Sequence, residues 1–184
     1  MTGLATATIL TVEDDPIVRA DLRLILEDAG FEVCPEARDG LEAVELAREH
    51  RPDLILLDLG LPHLDGVEAA RRILEERDVP IVALTGHSNG EVLDRAVEAG
   101  ATGYVLKPFS ERQLVGTVRD VLVERLEREY EERHLRIMVE RMVQGGYSQR
   151  EIEHAVRRAS GHPEPARPSS AALALAWIRG LLGR

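Results

Sequence analysis

The first 125 residues predict a doubly wound α/β domain, a five-stranded parallel sheet with helices on both faces. Three observations lead there. Five short apolar runs alternate with longer stretches of helical periodicity. The segments joining them are short, as crossover connections between parallel strands require. Four of the runs stop at polar groups: Ala7–Val12 at Glu13-Asp14-Asp15, Leu54–Leu57 at Asp58, Ile81–Leu84 at Thr85, and Gly103–Leu106 at Lys107. In a parallel sheet those ends share one edge, the edge where such folds gather function.

Each element has its own signal. Ala7–Val12 reads as the first strand. Pro16–Ala29 follows as a helix with Val18, Leu22, Ile25 and Leu26 on one stripe, stopped at Gly30. Phe31–Cys34 is a short strand and Gly40–Glu49 the second helix. Asp53–Leu57 is almost wholly apolar, the composition of a strand covered on both faces. Asp65–Glu76 presents Val67, Ala70, Ile73 and Leu74 on a helix face. Pro80–Leu84 is the fourth strand, Asn89–Ala99 a helix stopped at Gly100, and Gly103–Leu106 the fifth strand. Ser110 is a good N-cap for the fifth helix.

That helix does not stop where a closing helix should. No Gly or Pro interrupts Thr117–Gln144, and Leu114, Val118, Leu122, Leu126 and Tyr130 recur at four-residue steps. Glu124/Arg128 and Glu129/Arg133 lace the exposed side with i,i+4 pairs. The apolar stripe calls for another surface, and the same helix of a second chain is one candidate, although Arg125 and Arg133 make the heptad irregular. The predicted organisation is therefore a domain over 1–125 and a helical stalk with a helix-turn-helix-like segment over 126–160. A Pro-rich linker over 161–170 and a short amphipathic helix over 171–184 complete it. Gly145-Gly146-Tyr147-Ser148 breaks the stalk, and Ser148 with Glu151 forms a capping box for a helix from Gln149 to about Ser160.

Composition narrows the function classes. Aromatic residues make up only 3% of the chain, so Leu, Val, Ile and Ala must build the core. The single cysteine, Cys34, permits no internal disulfide and suits a reducing cytoplasm as a buried hydrophobe. No secretion signal is visible, and the longest apolar run, near Ala171–Ile178, is too short to span a bilayer, so no transmembrane segment is expected. Residues 1–112 carry 11 basic and 23 acidic side chains, which argues against nucleic acid or anionic membrane as a partner of that part. From Arg133 onward 9 basic face 4 acidic side chains, and the tail keeps nucleic-acid binding open. A hydrolytic α/β enzyme lacks a nucleophilic Ser or Cys with a suitably placed base.

The polar strand ends carry a specific chemistry. Clustered carboxylates repel one another until a cation relieves them, and Mg²⁺ typically takes one or two carboxylates together with waters and phosphoryl oxygens. Glu13, Asp14 and Asp58 suit that role. Lys107 is the one lysine among 22 arginines, a compact ammonium on a flexible stem where a planar fork would not serve. With a metal bound, a carboxylate can act as nucleophile on phosphorus.

Val12-Glu13-Asp14-Asp15-Pro16, Leu57-Asp58-Leu59-Gly60-Leu61-Pro62, Ala83-Leu84-Thr85-Gly86 and Tyr104-Val105-Leu106-Lys107-Pro108-Phe109 together resemble the receiver domain of two-component response regulators, over about residues 6–125. The resemblance implies a flavodoxin-like sheet and a switch rather than an enzyme. It implies that Asp58 accepts phosphate from a histidine kinase or phosphotransfer protein. Asp14 would ligate Mg²⁺ directly, Glu13 through water, and Gly60 through its backbone carbonyl. Thr85 would be the switch hydroxyl, Tyr104 the switch aromatic and Lys107 the phosphate-binding cation. Asp15 lies beyond the acidic pair, and His63 and His87 read as exposed loop residues. Gly146–Ser160 is weakly similar to the RNA-binding ANTAR output module. The output is thus either a helical segment acting through protein contacts, with a homodimer through the fifth helix, or a nucleic-acid-binding tail.

Overall fold

The computed structural model describes residues 7–86 and 90–159. His87, the Pro-rich linker and the amphipathic segment 171–184 lie outside the described residues. Five strands, β1 (Thr8–Val12), β2 (Glu32–Val33), β3 (Leu54–Asp58), β4 (Ile81–Thr85) and β5 (Gly103–Leu106), alternate with α1 (Pro16–Asp28), α2 (Gly40–His50), α3 (Gly66–Glu76) and α4 (Gly90–Glu98). Two helices follow, α5 (Glu111–Gln144) and α6 (Gln149–Ala159). All pairings are parallel, in the order β2-β1-β3-β4-β5. The predicted doubly wound, flavodoxin-like sheet is what forms.

The chain divides into two compact units within α5, between Val123 and Glu124. In the first, strand side chains alternate between two apolar layers, as the period of two dictates. Leu10, Val12, Ile55, Leu57, Ile81 and Ala83 pack with Ala43, Ala47, Ala70, Ile73 and Ala96 of α2, α3 and α4. Ile9, Leu54, Leu56, Val82, Leu84 and Val105 pack with Leu22 and Leu26 of α1 and with Leu114, Val118 and Leu122 of α5. Every residue of β3 and β4 is buried, which explains the apolar runs that precede Asp58 and Thr85.

Aspartates start three helices. Asp15 accepts from the backbone N–H of Ile17 and Val18, Asp39 from Leu41 and Glu42, and Asp65 from Val67. Asp15 is thereby an N-cap, consistent with its place outside the acidic pair. Gly40 and Gly66 follow two of these caps because a Cβ at either would lie 2.3 Å from a carbonyl oxygen, of Leu64 or of Asp58. Gly30 and Gly100, both at positive φ, close α1 and α4 by the same device. In each case the residue after the glycine donates back to the third residue from the helix end, Phe31 to Leu26 and Ala101 to Ala96.

The second unit has a small core of its own. Val139 of α5 and Ile152 and Val156 of α6 are fully buried, with Met138, Met142 and Val143 packed around them. Gly146 at φ 75° ends α5, Tyr147 donating to Met142. Ser148 then opens α6: its hydroxyl and its backbone N–H both donate to the Glu151 carboxylate, at 2.6 and 2.8 Å.

Candidate functional site

The polar groups that end the strands meet at one edge. Glu13 and Asp14 directly follow β1, Asp58 is the last residue of β3, Thr85 the last of β4, and Lys107 directly follows β5. The register aligns them: Val12 pairs with Leu57, Asp58 with Leu84, and Thr85 with Leu106. Among the described residues the buried polar side chains are Thr11, Glu13, Asp58 and Thr85, so three of the four belong to this edge. Burying polar groups in a core is unfavourable unless they are partnered. For Glu13 and Asp58 the partner is Lys107.

Lys107 Nζ donates to Glu13 Oε2 at 2.5 Å and to Asp58 Oδ2 at 2.6 Å, contacts that join residues 94 and 49 positions apart. Asp58 Oδ1 accepts the Gly60 backbone N–H at 2.8 Å. Carboxylate oxygens of Glu13, Asp14 and Asp58 lie within 4.8 Å of one another, Asp14 exposed and the other two buried. Burial raises the Glu13 carboxyl above its ordinary value, the Lys107 hydrogen bond and charge oppose that rise, and the Asp58 charge adds to it. For Lys107 burial works downward, but the hydrogen bonds and charges of Asp58 and Glu13 together outweigh it and hold the ammonium above its ordinary value. Two carboxylates thus share one ammonium, and a third, Asp14, lies beside them. The cluster could hold a metal ion: its donors are hard oxygens and it retains uncompensated negative charge.

Two arginines fix the backbone of this edge, and sequence reasoning passed over both. Arg19 Nη1 donates to the Glu13 carbonyl at 2.5 Å and to the Asp14 carbonyl at 3.3 Å, holding the acidic pair from α1. A cation at the positive N-terminal end of a helix is unfavourable without a partner, and that was the available signal. Arg95 of α4 donates to Asp65 Oδ2 at 2.6 Å and to the Leu59 carbonyl at 3.3 Å, bracing the loop after Asp58. No sequence signal marks it, because its partners lie 30 and 36 residues away.

The remaining predicted residues have distinct surroundings. The backbone N–H of Lys107 donates to the Thr85 carbonyl at 2.7 Å, tying β5 to β4 beside the site. A Cβ built on Gly60 would stand 3.5 Å from Asp58 Oδ1 and meet nothing else among the described residues, none of which covers the carboxylate on that side. Tyr104 lies on β5 with its side chain 48% exposed, on the same side of the strand as the exposed Leu106. His63 is exposed at positive φ, in the loop before α3. Cys34 is buried, and burial raises its thiol above the ordinary value.

Comparison with known proteins agrees with this geometry. The family profile described as response regulator receiver domain matches residues 9–119. The chain belongs to the response-regulator receiver family. Within it, the receiver is 44% identical over 110 residues to the transcriptional regulatory protein PdtaR of Mycobacterium tuberculosis, a match covering 60% of this chain. The chain spans about half the length of PdtaR (54%). It is 40% identical over 115 residues to the chemotaxis protein CheY of Halobacterium salinarum, covering 62% of this chain and 95% of that one. Among solved structures, Vibrio cholerae CheY4 superposes with a TM-score of 0.60 at 33% identity, covering 63% of this chain and 98% of that chain. The receiver domain of the sensor histidine kinase PA1611 from Pseudomonas aeruginosa, with magnesium coordinated in its active-site cleft, gives 0.60 at 34% identity, covering 64% and 98%. No helix among the described residues is long and apolar enough to cross a membrane.

Proposed function

We propose that this receiver is a phosphorylation switch whose acceptor is Asp58, charged by a histidine kinase or phosphotransfer protein. The observation that carries the proposal is the Lys107 ammonium held jointly by Asp58 and Glu13, with Asp14 beside them and Thr85 at the neighbouring strand end. In the step, an Asp58 carboxylate oxygen forms a bond to phosphorus as the P–N bond of the donor phosphohistidine breaks. The departing imidazole nitrogen keeps the electron pair and takes a proton. Asp14 and Asp58, the Gly60 carbonyl and, through water, Glu13 would hold Mg²⁺, which neutralises charge on the transferring phosphoryl oxygens when bound. Lys107 stays within reach of Asp58 and pairs with one phosphoryl oxygen. The Thr85 hydroxyl donates to another, and its inward shift makes room for Tyr104. The rest of the catalysis is positioning and electrostatics.

The consequence passes to α5. Leu114, Val118 and Leu122 of this helix belong to the same apolar layer as Leu84 and Val105, so a change at the ends of β4 and β5 has a packed route into it. The same helix continues to Gln144 and carries α6 at its end. The output is a helical segment controlled through that continuity.

The test uses the full chain with acetyl phosphate and Mg²⁺, read by intact mass. One phosphoryl group is expected on the wild type, none after chelation and none on Asp58→Asn. Equal labelling of Asp58→Asn, or no labelling of the wild type, would overturn the assignment.

A second reading makes the output a nucleic-acid binder of ANTAR-like type. It is favoured by α6, where Ile152 and Val156 are buried while Arg150, Arg157 and Arg158 are exposed, and by relatives named transcriptional regulators. Binding to RNA or DNA that weakens steeply with salt supports it, and no binding at low salt removes it.

A further inference from the structure

Beyond its receiver portion, α5 has two differently used sides. At 3.6 residues per turn, Leu135, Val139, Met142 and Val143 fall on one side and Leu126, Tyr130, Arg133 and Ile137 on roughly the opposite one. Val139, Met142 and Val143 pack against α6. No described residue covers the other side: Leu126, Tyr130 and Ile137 are 45%, 64% and 43% exposed. The spacing of those four residues, four then three then four, is that of a coiled-coil seam. Arg133 on the seam and Arg136 beside it are exposed and make no ion pair among the described residues.

We propose that this face of α5 binds a second copy of itself, running antiparallel. Charge decides both partner and direction. In a parallel pair Arg133 would stack on the partner's Arg133 inside the seam, and Arg136 would face the partner's Arg141, so like charges meet twice. In an antiparallel pair the two-fold axis falls between Glu131 and Glu132. Leu126 then covers the partner's Ile137, and Tyr130 covers the partner's Arg133, its ring facing a guanidinium. The flanking residues match as well: Glu129, which also pairs with Arg125 of its own helix at 2.8 Å, meets the partner's Arg136, and Glu127 meets the partner's His134. Because the interface is isologous, each of these contacts occurs twice. Tyr130 is already turned along the helix against His134, ring centroids 4.9 Å apart, so the aromatic and its neighbour form one patch. Arg133, which makes the apolar heptad irregular within one chain, becomes a complementary residue when two chains pair antiparallel.

The pairing is read on the unphosphorylated full chain, so it stands or fails independently of Asp58 labelling. Sedimentation of the wild type is expected to show a concentration-dependent dimer. Glu129→Arg or Arg136→Glu, at exposed or half-exposed sites, should each weaken it about tenfold through two symmetric charge clashes. The double reversal Glu129→Arg/Arg136→Glu should restore it. Mild oxidation of a mixture of Leu126→Cys and Ile137→Cys chains should give a mixed disulfide-linked dimer, and Leu126→Cys alone none. A wild type that stays monomeric at every concentration overturns the pairing and leaves the face to a different occupant. Self-linked Leu126→Cys, or a double reversal that remains weak, overturns the antiparallel register.

Discussion

Gly66 and Gly116 offer one chemical change with opposite expected results. A methyl group added at Gly66 would lie 2.3 Å from the Asp58 carbonyl oxygen and 2.7 Å from Leu59 Cα. Carbon atoms in contact normally stand about 3.5–4.0 Å apart. Both obstacles are backbone, and both belong to the segment leaving Asp58, so neither can turn aside as a side chain would. Relief requires a shift of about 1 Å between α3 and the end of β3, at a cost of about 2–4 kcal/mol. At Gly116, within α5, an added Cβ meets nothing within 4 Å. Ala is worth about 0.5–1 kcal/mol over Gly inside a helix. For a domain of this size each kcal/mol moves the midpoint by about 4 °C, so Gly66→Ala should lower Tm by about 10 °C and Gly116→Ala should raise it by about 3 °C. Thermal unfolding of the full chain followed by circular dichroism measures both, and intact-mass labelling by acetyl phosphate should be slower in Gly66→Ala alone. A Gly66→Ala variant within about 0.5 kcal/mol of wild type would refute the claim that the loop after Asp58 is clamped by backbone contact.

Four further outcomes are expected. Gly60→Met places a bulky side chain near Asp58 Oδ1 where no other described residue stands, so the phosphorylated wild type should lose its phosphate faster than the variant. Equal or slower loss from the wild type would show that access over Asp58 does not govern hydrolysis. Hydrogen bonds from the Ser148 hydroxyl and backbone hold the Glu151 carboxyl below its ordinary 4.5. The stabilisation of α6 is therefore present above that value and is lost as pH falls through the lower folded value; protection of α6 amides, corrected for the intrinsic pH dependence of exchange, should fall with acidification in wild type and show a weaker pH dependence in Glu151→Gln. Ile152→Ala empties a fully buried position of the small second core, costing about 2–4 kcal/mol, and should release protection in α6 while receiver amides keep theirs. Arg95→Ala breaks an exposed pair with Asp65 and a bond to Leu59, so stability should fall by only about 0.5 kcal/mol while amide exchange quickens from Leu59 to Asp65.

Much of the first unit could be read directly. The predicted strand over Asp53–Leu57 and the observed β3 over Leu54–Asp58 differ by one residue at each end, and the helix starting at Pro16 begins there. Local chemistry carries these boundaries: an Asp cap, a Gly at positive φ, an apolar run with no polar interruption. The second strand is shorter than its sequence suggests, Glu32–Val33 rather than Phe31–Cys34. It lies at the sheet edge, and Phe31 is drawn into the α1–α5 layer instead. Candidate residues at strand ends were legible because a parallel sheet puts all its carboxyl ends on one side. Arg19 and Arg95 were not, since a surface arginine that braces a carbonyl has the same sequence appearance as one facing water.

The sequence by itself determined the alternation of strands and helices, the caps, the length of α5 and the set of polar groups that would share an edge. The first three follow from interactions within a few residues, and the fourth from the rule that parallel strands put their carboxyl ends on one side. Tertiary structure decided the strand order β2-β1-β3-β4-β5 and which face of α5 packs against α6. It also decided that Lys107 bonds to Glu13 and Asp58 at once. These depend on contacts between segments as much as 94 residues apart, for which periodicity carries no information, and they are chosen by how the apolar layers pack.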